Sequence, residues 1–163
     1  MTVTEVIFTK ETYSKDNNNI ITLNDLTTMH TDVRDKSGNT YLMYGAIIGD
    51  LEIVSIQATG QSYKNQQLSH KETNNDIEEL NLSVNIWANV DARNNEGKTA
   101  LIHAVENNHL HIVKFLLGDL ADHRFAMKAD MYITNNNGKS ATDIAFEYKH
   151  MDIFYYLIKC LID

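Results

Sequence analysis

Apolar positions along the chain come in short blocks, and three stretches place them in one register behind a polar, glycine-bearing segment. The polar segments are Asp35-Lys36-Ser37-Gly38-Asn39-Thr40, Asn94-Asn95-Glu96-Gly97-Lys98-Thr99 and Asn135-Asn136-Asn137-Gly138-Lys139-Ser140. Each is followed by small residues and then by an aliphatic pair: Ile53-Val54, Ile112-Val113 or Ile153-Phe154. The pair begins 15 residues after the glycine every time, at 53, 112 and 153 against 38, 97 and 138. Chance does not hold such a register three times. Each polar segment reads as an Asx-x-x-Gly turn, in which glycine takes positive φ, ending on a Thr or Ser placed to cap a helix. Five positions after the cap stands a small residue, Gly45, Ala104 or Ala145, where a second helix can approach closely. A second turn follows at Gly49-Asp50, Asn108-His109 and Lys149-His150, and leads into a second, amphipathic helix. In the middle unit Ile112, Phe115 and Leu116 lie at i, i+3 and i+4, one stripe of a 3.6-residue period. The pattern predicts an all-α chain of repeated helix–turn–helix units.

These units resemble the ankyrin repeat. The family's turn, Thr-Pro-Leu-His-x-Ala motif, Gly-His turn and Ile-Val helix are matched by Ala88 to Leu117, with Thr99-Ala100-Leu101-Ile102-His103-Ala104 standing where the motif does. Ala100 replaces the proline, Ile102 replaces the histidine, and the third unit departs further, with Thr142 at the leucine position. The resemblance implies a solenoid of three to four helix–turn–helix units. Because the family period is ~33 residues, glycines at 38, 97 and 138 imply one insertion of roughly 26 residues and another of roughly 8. The expected organisation is a single domain, 1–163: a capping segment or degenerate repeat at 1–31, repeats at 32–58, 88–117 and 128–163, a polar insertion at 59–87 and a short one at 118–127. Lys64 and Lys71 are the expected cleavage sites in the larger insertion.

Composition narrows the partners. With 22 acidic and 14 basic residues the formal charge is −8, a field that repels the phosphates of nucleic acid and of anionic lipid, so neither is an expected partner. Cys160 is the lone cysteine, so no intramolecular disulfide and no cysteine-based metal cluster forms, and a reducing, cytoplasmic setting is expected. Met1 to Glu5 lacks the basic start and apolar stretch of a secretory signal, and no run approaches the ~20 apolar residues of a membrane span.

Gly97-Lys98-Thr99 and Gly138-Lys139-Ser140 look like the end of a phosphate-binding loop, but Ala92 and Ile133 stand where the preceding glycine is required, so both are read as repeat turns. His103, His109 and His111 are read as structural: residues two apart on a helix point to nearly opposite sides, and no acidic partner has zinc-like spacing. Asn81-Leu82-Ser83 is discarded as a sequon without a secretory route, and Cys160 reads as a packed hydrophobe. No acid–base or nucleophile–base constellation appears beyond the adjacent His70 and Glu72. Catalytic residues, metal ligands and cofactors are therefore not expected.

What the resemblance implies is a non-enzymatic module that binds, sequesters or inhibits a partner protein. A host-directed effector of a bacterium or virus is one setting and an immunity protein another; a regulatory or assembly subunit acting through self-association, or an enzyme with its site in the insertion, are the competing classes. Family contacts fall on the turn tips and the exposed end of the first helix. Carried over, they are Lys36, Ser37, Asn39, Ile47 and Ile48, then Asn95, Glu96, Lys98, Glu106 and Asn107, then Asn136, Asn137, Lys139, Glu147 and Tyr148. Ile47 and Ile48 are read either as an apolar anchor or as packing against the insertion. At the C-terminal end a stripe of Ile153, Tyr156, Leu157, Cys160 and Leu161 satisfies packing onto the preceding unit. It leaves Phe154, Tyr155, Ile158 and Ile162 as an oligomer or docking patch, where a terminal repeat is expected to be polar.

Overall fold

The computed structural model describes residues 34–59, 88–119 and 128–162. The expected capping segment at 1–31, the insertion at 59–87 beyond Thr59, and residues 120–127 of the short insertion lie outside them. Six helices are formed by the described residues: α1 Tyr41–Ile48, α2 Leu51–Thr59, α3 Ala100–Glu106, α4 Leu110–Leu116, α5 Ala141–Glu147 and α6 Met151–Ile162.

Local chemistry sets their starts. Thr40, Thr99 and Ser140 hold extended backbone and accept, through their side-chain oxygens, the N–H groups of Met43, Ile102 and Asp143, each at 3.3 Å. Each bond satisfies one of the amide groups that a helix start leaves without a partner. At Ser140 the Asp143 carboxylate returns the favour, accepting the cap's N–H at 2.9 Å, which completes a capping box. The second turns are made by one residue in the left-handed region: Gly49, Asn108 or Lys149, at φ of 76°, 60° and 59°.

Stacking then follows from which faces are apolar. The first helices α1, α3 and α5 pack in one row, the second helices α2, α4 and α6 in another, and each first helix packs on its own second helix. Between the rows lies one continuous core in which Leu101, Ile102, Ile112, Leu116, Ile144, Ile153 and Leu157 are all but inaccessible. Full burial of such a side chain is worth ~1.5–3 kcal/mol. Close approach depends on the small residues: Ala104 and Ala145 have no exposed surface, and a Cβ added at Gly45 would lie 2.8 Å from the Ile53 side chain. No strand occurs among the described residues; a single antiparallel bridge joins Thr134 and Ser140. The architecture is an all-α helical-repeat solenoid. One expected packing contact is missing: Leu161 is 41% exposed, because at the end of α6 the helix runs past the shorter α4 that it packs on.

Candidate functional site

The turns that join successive units are hydrogen-bonded to one another in register. Asn95 donates its backbone N–H to the Ser37 carbonyl and its amide to the Lys36 carbonyl, both at 2.9 Å. One unit later Asn136 repeats the arrangement, donating to the carbonyls of Glu96 and Asn95, again at 2.9 Å. Arginine guanidinium groups clasp the same turns. Arg34 donates to Gly38 O and Arg93 O at 3.0 and 2.7 Å, and Arg93 to Gly97 O and Thr134 O at 3.2 and 3.0 Å. The ladder holds the turn tips in a line along one side of the stack.

Beneath it runs a chain of polar side chains. Asp35 accepts from the Asn39 amide at 3.0 Å, and Asn39 Oδ1 accepts from Asn94 at 2.8 Å. The Asn94 oxygen is occupied by the N–H groups of Glu96 and Lys98 at 2.9 Å, so its NH₂ must face the His103 Nε2, 3.1 Å away. Nε2 therefore accepts, and the ring proton sits on Nδ1, 3.6 Å from the Glu106 carboxylate. Lys98 closes the chain, with Nζ 3.0 Å from Glu106 and 2.8 Å from Glu96. Burial alone would raise the Glu106 carboxyl, but hydrogen bonds from His103 and Lys98, with the Lys98 charge, outweigh it and hold the group below its ordinary value. Burial would likewise lower the Lys98 ammonium; the two carboxylates reverse that and raise it.

Between the second and third units these elements enclose an open groove of about 330 Å³. Asn95, Glu96, Lys98 and Glu106 form one wall, Asn136, Asn137, Lys139, Glu147 and Tyr148 the other, with Asn135 and Ile144 contributing from the third unit. Lys139 pairs with Glu147 across its outer edge, and Tyr148 is half exposed. Nine of the residues singled out from the sequence thus meet at one surface. The others sit elsewhere. Lys36 and Ser37 serve the ladder through their carbonyls, Asn39 is bound into the polar chain, and Asn107 closes α3 with its amide on the His103 carbonyl at 2.9 Å. Ile47 and Ile48 are half-buried at the end of α1. Asn135 and Ile144 were not foreseen, although Asn135 opens a turn that the sequence marks. Arg34 and Arg93 were missed too; both stand four residues before a repeat glycine, a recurrence visible in the sequence.

The histidines bridge units. His109 Nε2 is 3.1 Å from Ile47 O, His111 Nε2 is 3.0 Å from Gly49 O, and His150 Nδ1 is 2.8 Å from Val105 O. His109 and His111 do not point to opposite sides as expected: their rings meet edge to face at 5.9 Å, because His109 is the cap preceding α4 and lies outside its helical register. Among the described residues no three His, Cys, Asp or Glu side chains are grouped to hold a metal, and no helix is long and apolar enough to cross a membrane. The glycine-lysine triplets are turns: Thr99 is a buried cap and Lys98 is taken by carboxylates.

At the far end of the stack, Tyr155 and Ile162 are 66% and 80% exposed, while Phe154 and Ile158 are half-buried. Phe146, also exposed, lies against Phe154 with ring centroids 5.4 Å apart.

No curated protein matches the sequence. Among solved structures, a chain in the structure titled "Bd0816 Predatory Endopeptidase from Bdellovibrio bacteriovorus in complex with immunity protein Bd3460" is similar at 25% identity and a TM-score of 0.46, over 78% of this chain and 47% of that one. This chain therefore spans about half the length of the chain it matches, and a likeness of that degree carries no functional argument. A family model described as ankyrin repeats in three copies matches residues 66–163. Ankyrin repeats are protein-interaction modules, typically without enzymatic activity. With its turn ladder, paired helix rows and capped first helices, the chain belongs to the ankyrin-repeat family.

Proposed function

We propose that this chain is a non-enzymatic binding module that sequesters or inhibits a partner protein, held in the groove between the second and third units. The observation that carries the reading is the convergence of turn-tip and helix-end side chains from two units on one open surface. The surface is preorganised, because the ladder and the polar chain behind it fix the walls before any partner arrives. A rigid site loses little conformational freedom on binding, so more of the contact energy becomes affinity. Tyr148 is the natural anchor, a half-exposed amphipathic ring beside Ile144, since tyrosine supplies large contact area at low entropic cost. The net charge of −8 favours a basic partner, whose association would slow as salt is added. A reducing, intracellular site of action is part of the proposal and rests on the lone cysteine.

The test is affinity capture with the 163-residue chain as bait, comparing Tyr148→Ser with Tyr132→Ser, an exposed tyrosine outside the groove. A stoichiometric partner should survive Tyr132→Ser and bind roughly 10- to 30-fold more weakly to Tyr148→Ser. Equal binding by both variants would remove the groove from the account. Turnover of a captured molecule would remove the non-enzymatic reading.

A further inference from the structure

The end face of the third unit has the composition of a face built to be covered. Counting from the repeat glycines, Phe146 occupies the position of Val105 and Ala46, and Phe154 that of Val113 and Val54. In the first two units, each followed by another, those four residues have no exposed surface at all. In the third unit the same positions stay apolar and become larger, yet Phe146 is 62% exposed and Phe154 half-buried. The rings run on as one surface, Phe146 to Phe154 at 5.4 Å and Phe154 to Tyr155 at 5.7 Å. Ile158 and Ile162 follow at one and two helical turns from Phe154.

We propose that this face, α6 with Phe146 beside it, is the contact surface of a symmetric homodimer in which the α6 helices of two copies lie antiparallel. Two observations favour a second copy over other occupants. The first is charge. Asp152, Tyr155, Lys159 and Ile162 fall at i, i+3, i+7 and i+10, a single exposed stripe of α6 with an acid towards one end and a base towards the other. Antiparallel pairing about a two-fold axis near Tyr155 sets Asp152 of each copy against Lys159 of the other, so one self-complementary patch forms two ion pairs. The second is area. Phe146, Tyr155 and Ile162 together leave on the order of 400 Å² uncovered, taking ~200 Å² for a large side chain. Two copies would bury about 800 Å² from these three residues alone, and the half-buried Phe154 and Ile158 of each copy carry the contact towards the ~1,000 Å² that a specific interface requires.

The experiment measures the mass of the full chain in solution by light scattering over a concentration series. Wild type should reach twice the 18.6 kDa chain mass. Tyr155→Ser with Ile162→Ser should remain at the single-chain mass with unchanged helix content, since both side chains are exposed. Asp152→Lys alone and Lys159→Asp alone should each weaken the dimer by about tenfold or more, and the double reversal should restore it, because only the antiparallel register re-pairs the exchanged charges. A wild-type monomer at every concentration overturns the proposal. So does a dimer indifferent to Tyr155 and Ile162, or one that the double reversal fails to restore.

Discussion

Gly97 and Gly138 occupy the same turn position with the same backbone, φ 74° in each, but only Gly97 has another turn packed against it in the structure, and alanine at each separates conformation from stacking. At Gly138 a Cβ would meet nothing within 4 Å, so Gly138→Ala incurs only the left-handed conformation. That costs ~1–2 kcal/mol, offset by ~0.4–1 kcal/mol because the unfolded chain loses freedom too. The expected net loss is about 0.5–1 kcal/mol. At Gly97 the same Cβ would run into the Asn136 side-chain oxygen, stand 2.6 Å from the Arg93 guanidinium and reach within 2.8 Å of the Asn136 backbone nitrogen. Relief means opening the rung in which Asn136 donates to Glu96 and Asn95, and shifting the Arg93 clasp. Two or three such bonds at ~1 kcal/mol each bring the expected cost of Gly97→Ala to about 3–4 kcal/mol. Thermal unfolding followed by helix ellipticity should separate the variants, with Gly97→Ala lowering Tm by roughly 10 °C and Gly138→Ala by about 2–3 °C. Equal losses would show that the rung between turns contributes nothing measurable and would refute the ladder argument. Most of the damage at Gly97 comes from the Cβ itself, so Gly97→Val, expected from β-branching to be worse than alanine, adds only a further increment.

Two other outcomes follow from the same structure. Lys149 is an exposed lysine at φ 59°, so Lys149→Gly should stabilise the chain by about 0.5–1 kcal/mol, seen as a higher urea midpoint; a loss of stability would mean that the lysine makes a contact outweighing its backbone strain. For pH, Glu106 is held below its ordinary value when folded, so its contribution is present above the unfolded carboxylate pKa near 4.3 and is lost as pH falls through the lower folded value. Lys98 is raised, so its contribution is complete below the unfolded lysine pKa near 10.4 and is lost as pH climbs through the folded value. Glu106→Gln should therefore cost about 1–2 kcal/mol at neutral pH and flatten both flanks of a urea-stability profile; an unchanged alkaline flank would detach Lys98 from the pair.

The turns, the helix caps and the spacing of the units are legible in the chain because each depends on neighbours within a few residues. An Asx-x-x-Gly-x-Thr segment specifies its own backbone and caps its own helix wherever it sits. The apolar stripe of Ile112, Phe115 and Leu116 is a periodicity, and burial followed from it. Nine groove residues were legible for the same reason, since they occupy turn and helix-end positions that the register marks. What local reasoning did not reach was everything decided by one unit lying on another. His109 and His150 bridge to carbonyls 62 and 45 residues away, and Arg93 clasps a turn 41 residues further on. Their recurrence at fixed distances from the repeat glycines is visible in the sequence, but the carbonyl each one reaches belongs to another unit and is set only by the stacking. The end of α6 shows the limit most directly: Leu157 and Leu161 share a helix face, yet one is wholly buried and the other 41% exposed. A helical period determines direction around an axis, whereas depth is decided by how far the neighbouring helix extends, and that is a property of the assembled stack.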